Sequence, residues 1–97
     1  MNTEYLILVT ASYSDDSVLE LKRCKCNSKE ETITLINTIK SDYANVISED
    51  FFKDEDIILF LRVYELNEYN IPKLVESSEL TRSNRVPSVW TGWSFEL

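Results

Sequence analysis

Apolar residues in this chain form three short runs, two before and one after a longer periodic stretch. The runs 4–12, 18–26 and 56–66 are rich in β-branched and aromatic side chains and are too short to favour helices, so each predicts a strand. The polar cluster 13–17 favours a turn, which makes a hairpin of the first two strands. The third run is nearly continuous in apolar residues, with Arg62 near its centre, which predicts a strand that is covered on both faces or lies centrally.

The second predicted strand differs from the others because charged side chains interrupt it. These are Glu20, Lys22, Arg23 and Lys25. Charge on an edge strand discourages pairing with other chains. The pattern therefore places this strand at the edge of the sheet, and strands one and three at its centre.

The periodic stretch 29–47 predicts the main helix. Ser28 stands three residues before Glu31, a spacing that lets the two residues cap the first turn reciprocally. Leu35 falls off the apolar stripe, and we expect it to be partly exposed. The stripe recurs at three- and four-residue steps and comprises Ile33, Ile36, Ile39, Tyr43 and either Val46 or Ile47.

The last third of the chain gives weaker patterns. Pro72 can begin a helix, and apolar or small residues then recur on one side, which predicts a short second helix over 71–80. The polar stretch 81–87 favours a loop. The loosely alternating residues 89–97 predict a last strand, with Gly92 as a bulge or bend.

These elements predict an α+β fold. The order is ββαβ(α)β, with a small single sheet of about four strands, mixed or antiparallel, and one main helix packed on one face. A helical crossover from strand two to strand three gives a spatial order 2-1-3. With 97 residues the chain has the size of a single domain, 1–97.

Composition limits where the protein works and what it binds. No stretch is apolar enough to span a membrane, and no secretory signal is present, so we expect an intracellular, cytoplasmic protein with reduced cysteines. The net charge is −7, which disfavours direct binding of nucleic acid. The same charge favours rapid encounter with a basic partner protein.

Catalytic and metal chemistry find little support in these residues. The chain has no histidine and only one glycine, which removes the commonest general base and rules out a glycine-rich phosphate loop. Cys24 and Cys26 offer two thiols where a closed zinc site needs four ligands. We therefore predict no enzyme activity, no catalytic residues, no metal and no cofactor.

The strongest candidate for a binding surface is the segment 49–56, called here the acidic segment. Its carboxylates surround Phe51 and Phe52, an arrangement typical of a surface that enters a basic groove with an apolar anchor. An alternative is a solvated turn whose phenylalanines cover the core. Trp90 has the same two interpretations, as a core residue or as a contact for a partner. The predicted partner-binding residues are Glu49, Asp50, Phe51, Phe52, Asp54, Glu55, Asp56 and Trp90.

These features favour a non-enzymatic acidic protein that binds and inhibits a basic partner, such as a nuclease or another nucleic-acid-processing enzyme. In size and charge the chain resembles toxin-immunity proteins and phage-encoded anti-defence inhibitors such as anti-CRISPRs, although no motif carries that likeness. Two alternatives stay open. One is a small-ligand-binding or regulatory module with tryptophans in its pocket, and the other is a structural or oligomerisation subunit.

Overall fold

The fold, taken from a computed structural model, is described for residues 3–13, 15–47, 57–69, 71–82 and 90–93. These residues form one antiparallel sheet of five strands and one helix, an α+β fold. The sheet order is β2-β1-β3-β4-β5, and every neighbouring pair is antiparallel. Along the chain the elements are β1 (Glu4–Tyr13), β2 (Val18–Cys26), α1 (Lys29–Ile47), β3 (Ile57–Leu66), β4 (Pro72–Arg82) and β5 (Trp90–Trp93).

The first half of the chain folds as its pattern predicts. β1 and β2 form the hairpin, β2 lies at an edge of the sheet, and β3 pairs with β1, so the predicted order 2-1-3 is confirmed. β3 is central, with β1 on one side and β4 on the other. The predicted strand 56–66 is confirmed over Ile57–Leu66, and Asp56 lies outside the described residues.

The helix α1 begins where the capping pattern places it. The Ser28 hydroxyl accepts a hydrogen bond from the backbone N–H of Glu31 at 3.1 Å, which satisfies one of the free amides of the first turn. Ile36 and Ile39 are buried, and Tyr43 is half-buried, as the stripe predicts. Leu35 is also half-buried and packs against the core.

The predicted second helix over 71–80 is wrong, because residues 72–80 belong to strand β4 and Ile71 precedes it. Three alternate positions of β4 point into the protein, and two of them are polar: Glu76, Ser78 and Leu80 are all buried. This alternation is invisible in a pattern of apolar residues alone. The predicted loop 81–87 is wrong at its first two positions, since Thr81 and Arg82 continue β4; the others lie outside the described residues.

The core lies between α1 and one face of the sheet. Alternate residues of β1 and β3 point toward the helix and are buried in two groups; Ile36 and Ile39 pack within one group, and Tyr43 and Ala44 pack against the other. These strand residues are Tyr5, Ile7, Val9, Ala11, Ile57, Leu59, Leu61 and Val63. The described residues contain no helix long and apolar enough to cross a membrane.

The last strand is β5, and it covers four of the nine residues predicted for it; Val89 and 94–97 lie outside the described residues. Gly92 has φ = 118°, a value that favours glycine. A Cβ atom at this position would lie 2.3 Å from the backbone oxygen of Ser77 on β4. The register between β4 and β5 has no shift, so Gly92 permits a close approach of two strands and forms no bulge.

Candidate functional site

A buried polar cluster joins α1 to β4. The Nζ atom of Lys40 lies 3.1 Å from Oε2 of Glu76, and the Ser78 hydroxyl donates to the same carboxylate oxygen at 3.2 Å. Glu76 and Ser78 are buried, whereas Lys40 keeps partial access to solvent. A buried carboxylate needs such compensation because losing its hydration is costly. The cluster therefore attaches the middle of the helix to the sheet.

Trp90 belongs to the same region. Its indole N–H donates to the backbone carbonyl of Lys40 at 2.8 Å, and its ring packs against both parts of the core. The Lys40 ammonium lies 6.0 Å from the ring centroid, at the outer limit of a cation–π contact. Trp90 is half-buried, so part of its surface stays accessible. Its core contacts are thus defined, and its predicted role in partner binding stays a prediction.

The two cysteines lie on the helix side of β2, two residues apart. Cys24 pairs in register with Ile7, and Cys26 pairs with Tyr5. Cys26 is buried and Cys24 is half-buried, and both are free thiols. Burial raises the pKa of the Cys26 thiol from its ordinary value of 9.0, since a thiolate would lose its hydration there. Among the described residues, no group of three or more potential metal ligands comes together.

The acidic segment lies outside the described residues, and with it seven of the eight predicted partner-binding residues: Glu49, Asp50, Phe51, Phe52, Asp54, Glu55 and Asp56. The residue that follows it is well fixed. Ile57 is buried, and it pairs with Tyr13 on one side and with Arg82 on the other. The segment therefore connects α1 to the central strand of the sheet.

The second face of the sheet, called here the open face, carries no described helix. The strand residues between the buried ones point to it, and those of β1 and β3 are all half-buried. Its apolar members on these two central strands are Leu6, Leu8, Ile58, Phe60 and Tyr64. In a two-layer α+β protein the face of the sheet opposite the helix can be open to water, but polar residues then usually alternate with the core positions. Here apolar side chains occupy much of it.

Arg62 lies at the centre of the open face. Its guanidinium carbon is 4.9 Å from the centroid of the Phe60 ring, two residues earlier on β3. Within the described part of the chain, no carboxylate comes within ion-pair distance of Arg62. At the β2 edge of the same face, Arg23 and Glu20 form an exposed ion pair of 2.7 Å. The open face thus combines apolar contact area with separate cationic and anionic positions.

A second apolar surface lies at the turn between β3 and β4. Tyr69 and Ile71 are exposed there, and the Asn67 side chain accepts hydrogen bonds from both of their backbone N–H groups, at 2.9 and 3.0 Å. This bonding fixes the turn. The turn lies at the end of β3 opposite to Ile57, where the acidic segment joins the strand.

Sequence reasoning missed the open face and the polar cluster. The run 56–66 gave no sign of which positions the helix covers, although Arg62 within an apolar strand was a signal that one side is not a closed core. The Lys40–Glu76 pair joins positions far apart in sequence, and no spacing rule connects them. Comparison with family models, with curated proteins and with solved structures found no match.

Proposed function

We propose that this chain is a non-enzymatic acidic interaction protein that binds a basic partner protein and inhibits it. The observation that carries the proposal is the concentration of charge in the acidic segment. Five carboxylates and one lysine fall within residues 49–56, so these eight residues hold a net charge of −4 out of the −7 of the whole chain. Concentrated charge of one sign accelerates association with a surface of the opposite sign.

The described elements on either side of the segment support this proposal. One end follows α1, which the polar cluster attaches to β4, and the other end enters the sheet at the buried residue Ile57. Phe51 and Phe52 lie between the carboxylates in the sequence and supply apolar contacts for the centre of an interface. A partner that normally binds phosphates, such as a nuclease, has the basic groove that this chemistry fits.

The test compares two variants with the same net charge. In the segment variant, the five acids at 49, 50, 54, 55 and 56 become their amides. In the control variant, five exposed acids elsewhere become amides: Asp16, Glu30, Glu31, Asp42 and Glu68. A partner is first captured with the wild-type protein and identified, and association rates are then measured at several ionic strengths.

We expect the segment variant to associate at least ~10-fold more slowly at low salt and to lose most of the salt dependence, because steering depends on local charge. The control variant keeps rates close to those of the wild type. Equal rates for the two variants would contradict the proposal, since net charge alone would then account for binding. Inhibition is tested separately, as loss of the captured partner's own activity when the wild-type protein is added.

A further inference from the structure

The open face has an ordered arrangement of charge. The strand register defines rows of side chains that run across the sheet on this face. Two neighbouring rows cross its centre. One row contains Arg23, Leu8, Arg62 and Ser77, and the next contains Glu20, Thr10, Phe60 and Glu79. A cationic row therefore lies directly beside an anionic row that also carries an aromatic ring.

We infer that this chain forms a homodimer in which the open faces of two copies pack against each other. The twofold axis of this dimer is parallel to the two rows and lies midway between them. It sets the cationic row of each copy over the anionic row of the other copy. Arg23 then faces Glu20 of the second copy, and Arg62 faces Phe60 of the second copy. Each contact occurs twice, as the symmetry of a twofold interface requires.

The charge pattern also selects this orientation over another one. A twofold axis along β3 places Arg62 opposite Arg62 of the second copy, at the centre of the interface. Two guanidinium groups in that position repel each other, and like charges across an interface strongly disfavour it. The axis parallel to the rows produces no like-charged contact within the two central rows. Of these two orientations, only the one with its axis parallel to the rows makes the open face complementary to itself.

The side chains at the centre suit a buried interface. Phe60, Leu8 and Tyr64 are half-buried before any second copy binds, so their remaining apolar surface is what a dimer would remove from water. Arg62 already stacks on its own Phe60, which holds the guanidinium over the face. Arginine and aromatic residues are enriched at the centres of interfaces, where the flat guanidinium stacks on rings.

The size of the open face is sufficient. Four strands of 9, 10, 10 and 11 residues and a last strand of 4 residues, spaced about 4.8 Å apart with a rise of about 3.3 Å per residue, give a face of roughly 700 Å². Specific interfaces of standard size cover about 600–1,000 Å² on each partner. The face-to-face dimer therefore reaches the area that a specific complex needs. This inference does not rest on the proposed function, because it uses none of the residues of the acidic segment.

The experiment uses charge reversal on the full chain. Arg23→Glu and Glu20→Arg each replace two attractive contacts of the dimer by two repulsive ones. Both residues are exposed, so the variants keep the fold, which circular dichroism verifies. Lys22→Glu is the matched control, because Lys22 is exposed on the same strand but pairs in register with Val9, on the helix side of the sheet. The dimer dissociation constant is measured by sedimentation over a wide range of concentrations.

We expect the wild type and Lys22→Glu to dimerise alike, and each of the two face variants to dissociate about 10-fold more readily. An equimolar mixture of Arg23→Glu and Glu20→Arg is expected to dimerise as well as the wild type. In that mixed dimer one copy carries two acids and the other two bases, so every contact becomes attractive again. A dimer with its twofold axis along β3 does not predict this recovery, because it sets β2 over β5 of the second copy.

A wild-type protein that sediments as a monomer at every concentration overturns the inference; in that case another part of this chain or a different partner covers the open face. Dimers that respond equally to Lys22→Glu and to Arg23→Glu also overturn it, since the effect would then follow net charge. A mixture that stays as weak as its components contradicts the proposed orientation. None of these outcomes bears on the acidic segment, so the two proposals fail independently.

Discussion

Lys40 and Glu76 form the charged contact that holds the helix to the sheet, with 3.1 Å between Nζ and Oε2. The same lysine accepts the Trp90 indole N–H at its backbone carbonyl. A single helical residue thus contacts both β4 and β5, the two strands farthest from the β1–β2 hairpin.

Lys40→Met is expected to lower the free energy of unfolding by about 3 kcal/mol, because Glu76 would keep a charge in a buried site after the neighbouring ammonium is removed. Glu76→Gln removes that charge and is expected to cost less. The double variant should be more stable than Lys40→Met alone, which urea denaturation of all three proteins measures. Lys29→Met, at an exposed position of the same helix, is the control; an equal loss in both lysine variants would contradict the prediction.

Trp90→Phe is expected to lower stability by about 1–2 kcal/mol. The substitution keeps an aromatic ring in the core but removes the hydrogen bond to Lys40 and leaves a small cavity. Denaturant titration followed by far-ultraviolet circular dichroism measures the change without relying on the lost fluorophore. Tyr69→Phe, at a position with 75% exposure, should leave stability unchanged. If Trp90→Phe behaves like Tyr69→Phe, the indole bond contributes nothing to the folded state.

Gly92→Ala is expected to destabilise the pairing of β5 with β4 by about 2 kcal/mol or more. The added Cβ would meet the Ser77 backbone oxygen at 2.3 Å, and the backbone at φ = 118° is strained for a residue with a side chain. Hydrogen exchange of the β5 amides should accelerate before that of β1 and β3. Thr91→Ala changes the neighbouring exposed position and should leave exchange in β5 close to that of the wild type. Slow exchange in Gly92→Ala would show that the strand adapts.

The buried thiol of Cys26 predicts a loss of stability in alkali. Its pKa is raised by burial, so the folded state holds the proton more tightly than the unfolded chain does. The contribution is fully present below the ordinary value of 9.0 and is lost as the pH rises through the raised pKa. The pKa of Tyr5 is also raised by burial, above its ordinary value of 10.0, and acts in the same direction. Cys26→Ala should show a smaller decline between neutral and alkaline pH in urea denaturation than the wild type.

Thiol labelling tests the different positions of the two cysteines. Cys24 is half-buried and Cys26 buried, so an aromatic disulfide reagent should modify Cys24 first and Cys26 only when the structure opens. Cys24→Ser isolates the slow reaction, and Cys26→Ser isolates the fast one. Equal rates for the two single-cysteine proteins would contradict the described packing of β2 against the helix.

The sequence predicted those elements whose apolar positions follow the period of the element. The stripe that contains Ile36 and Ile39 defines α1, and Ser28 marks its start, so the first residue of the helix was predicted correctly. β4 was missed because its buried face carries Glu76 and Ser78. The Glu76 carboxylate is compensated there by the Lys40 ammonium and the Ser78 hydroxyl, and the contact with Lys40 exists only in the folded chain.

The two candidate binding surfaces also differ in how far the sequence alone predicts them. The acidic segment was visible from composition, since five acids around two phenylalanines need no fold to be recognised. The open face required the register of three strands. Arg23 lies far from Phe60 and Arg62 in the sequence, and no motif links the three residues. Only the pairing of β1 with β2 and β3 places them in adjoining rows.

The strand order β2-β1-β3-β4-β5 has a consequence for how the protein assembles during synthesis. After the β1–β2 hairpin has formed, β3 pairs with β1, β4 with β3 and β5 with β4. The sheet therefore grows at one edge only. A nascent chain can therefore extend its sheet strand by strand as it leaves the ribosome, with the edge of one strand serving as the template for the next. Trp90 arrives with the last strand, and its contact with Lys40 completes the attachment of a helix synthesised long before it.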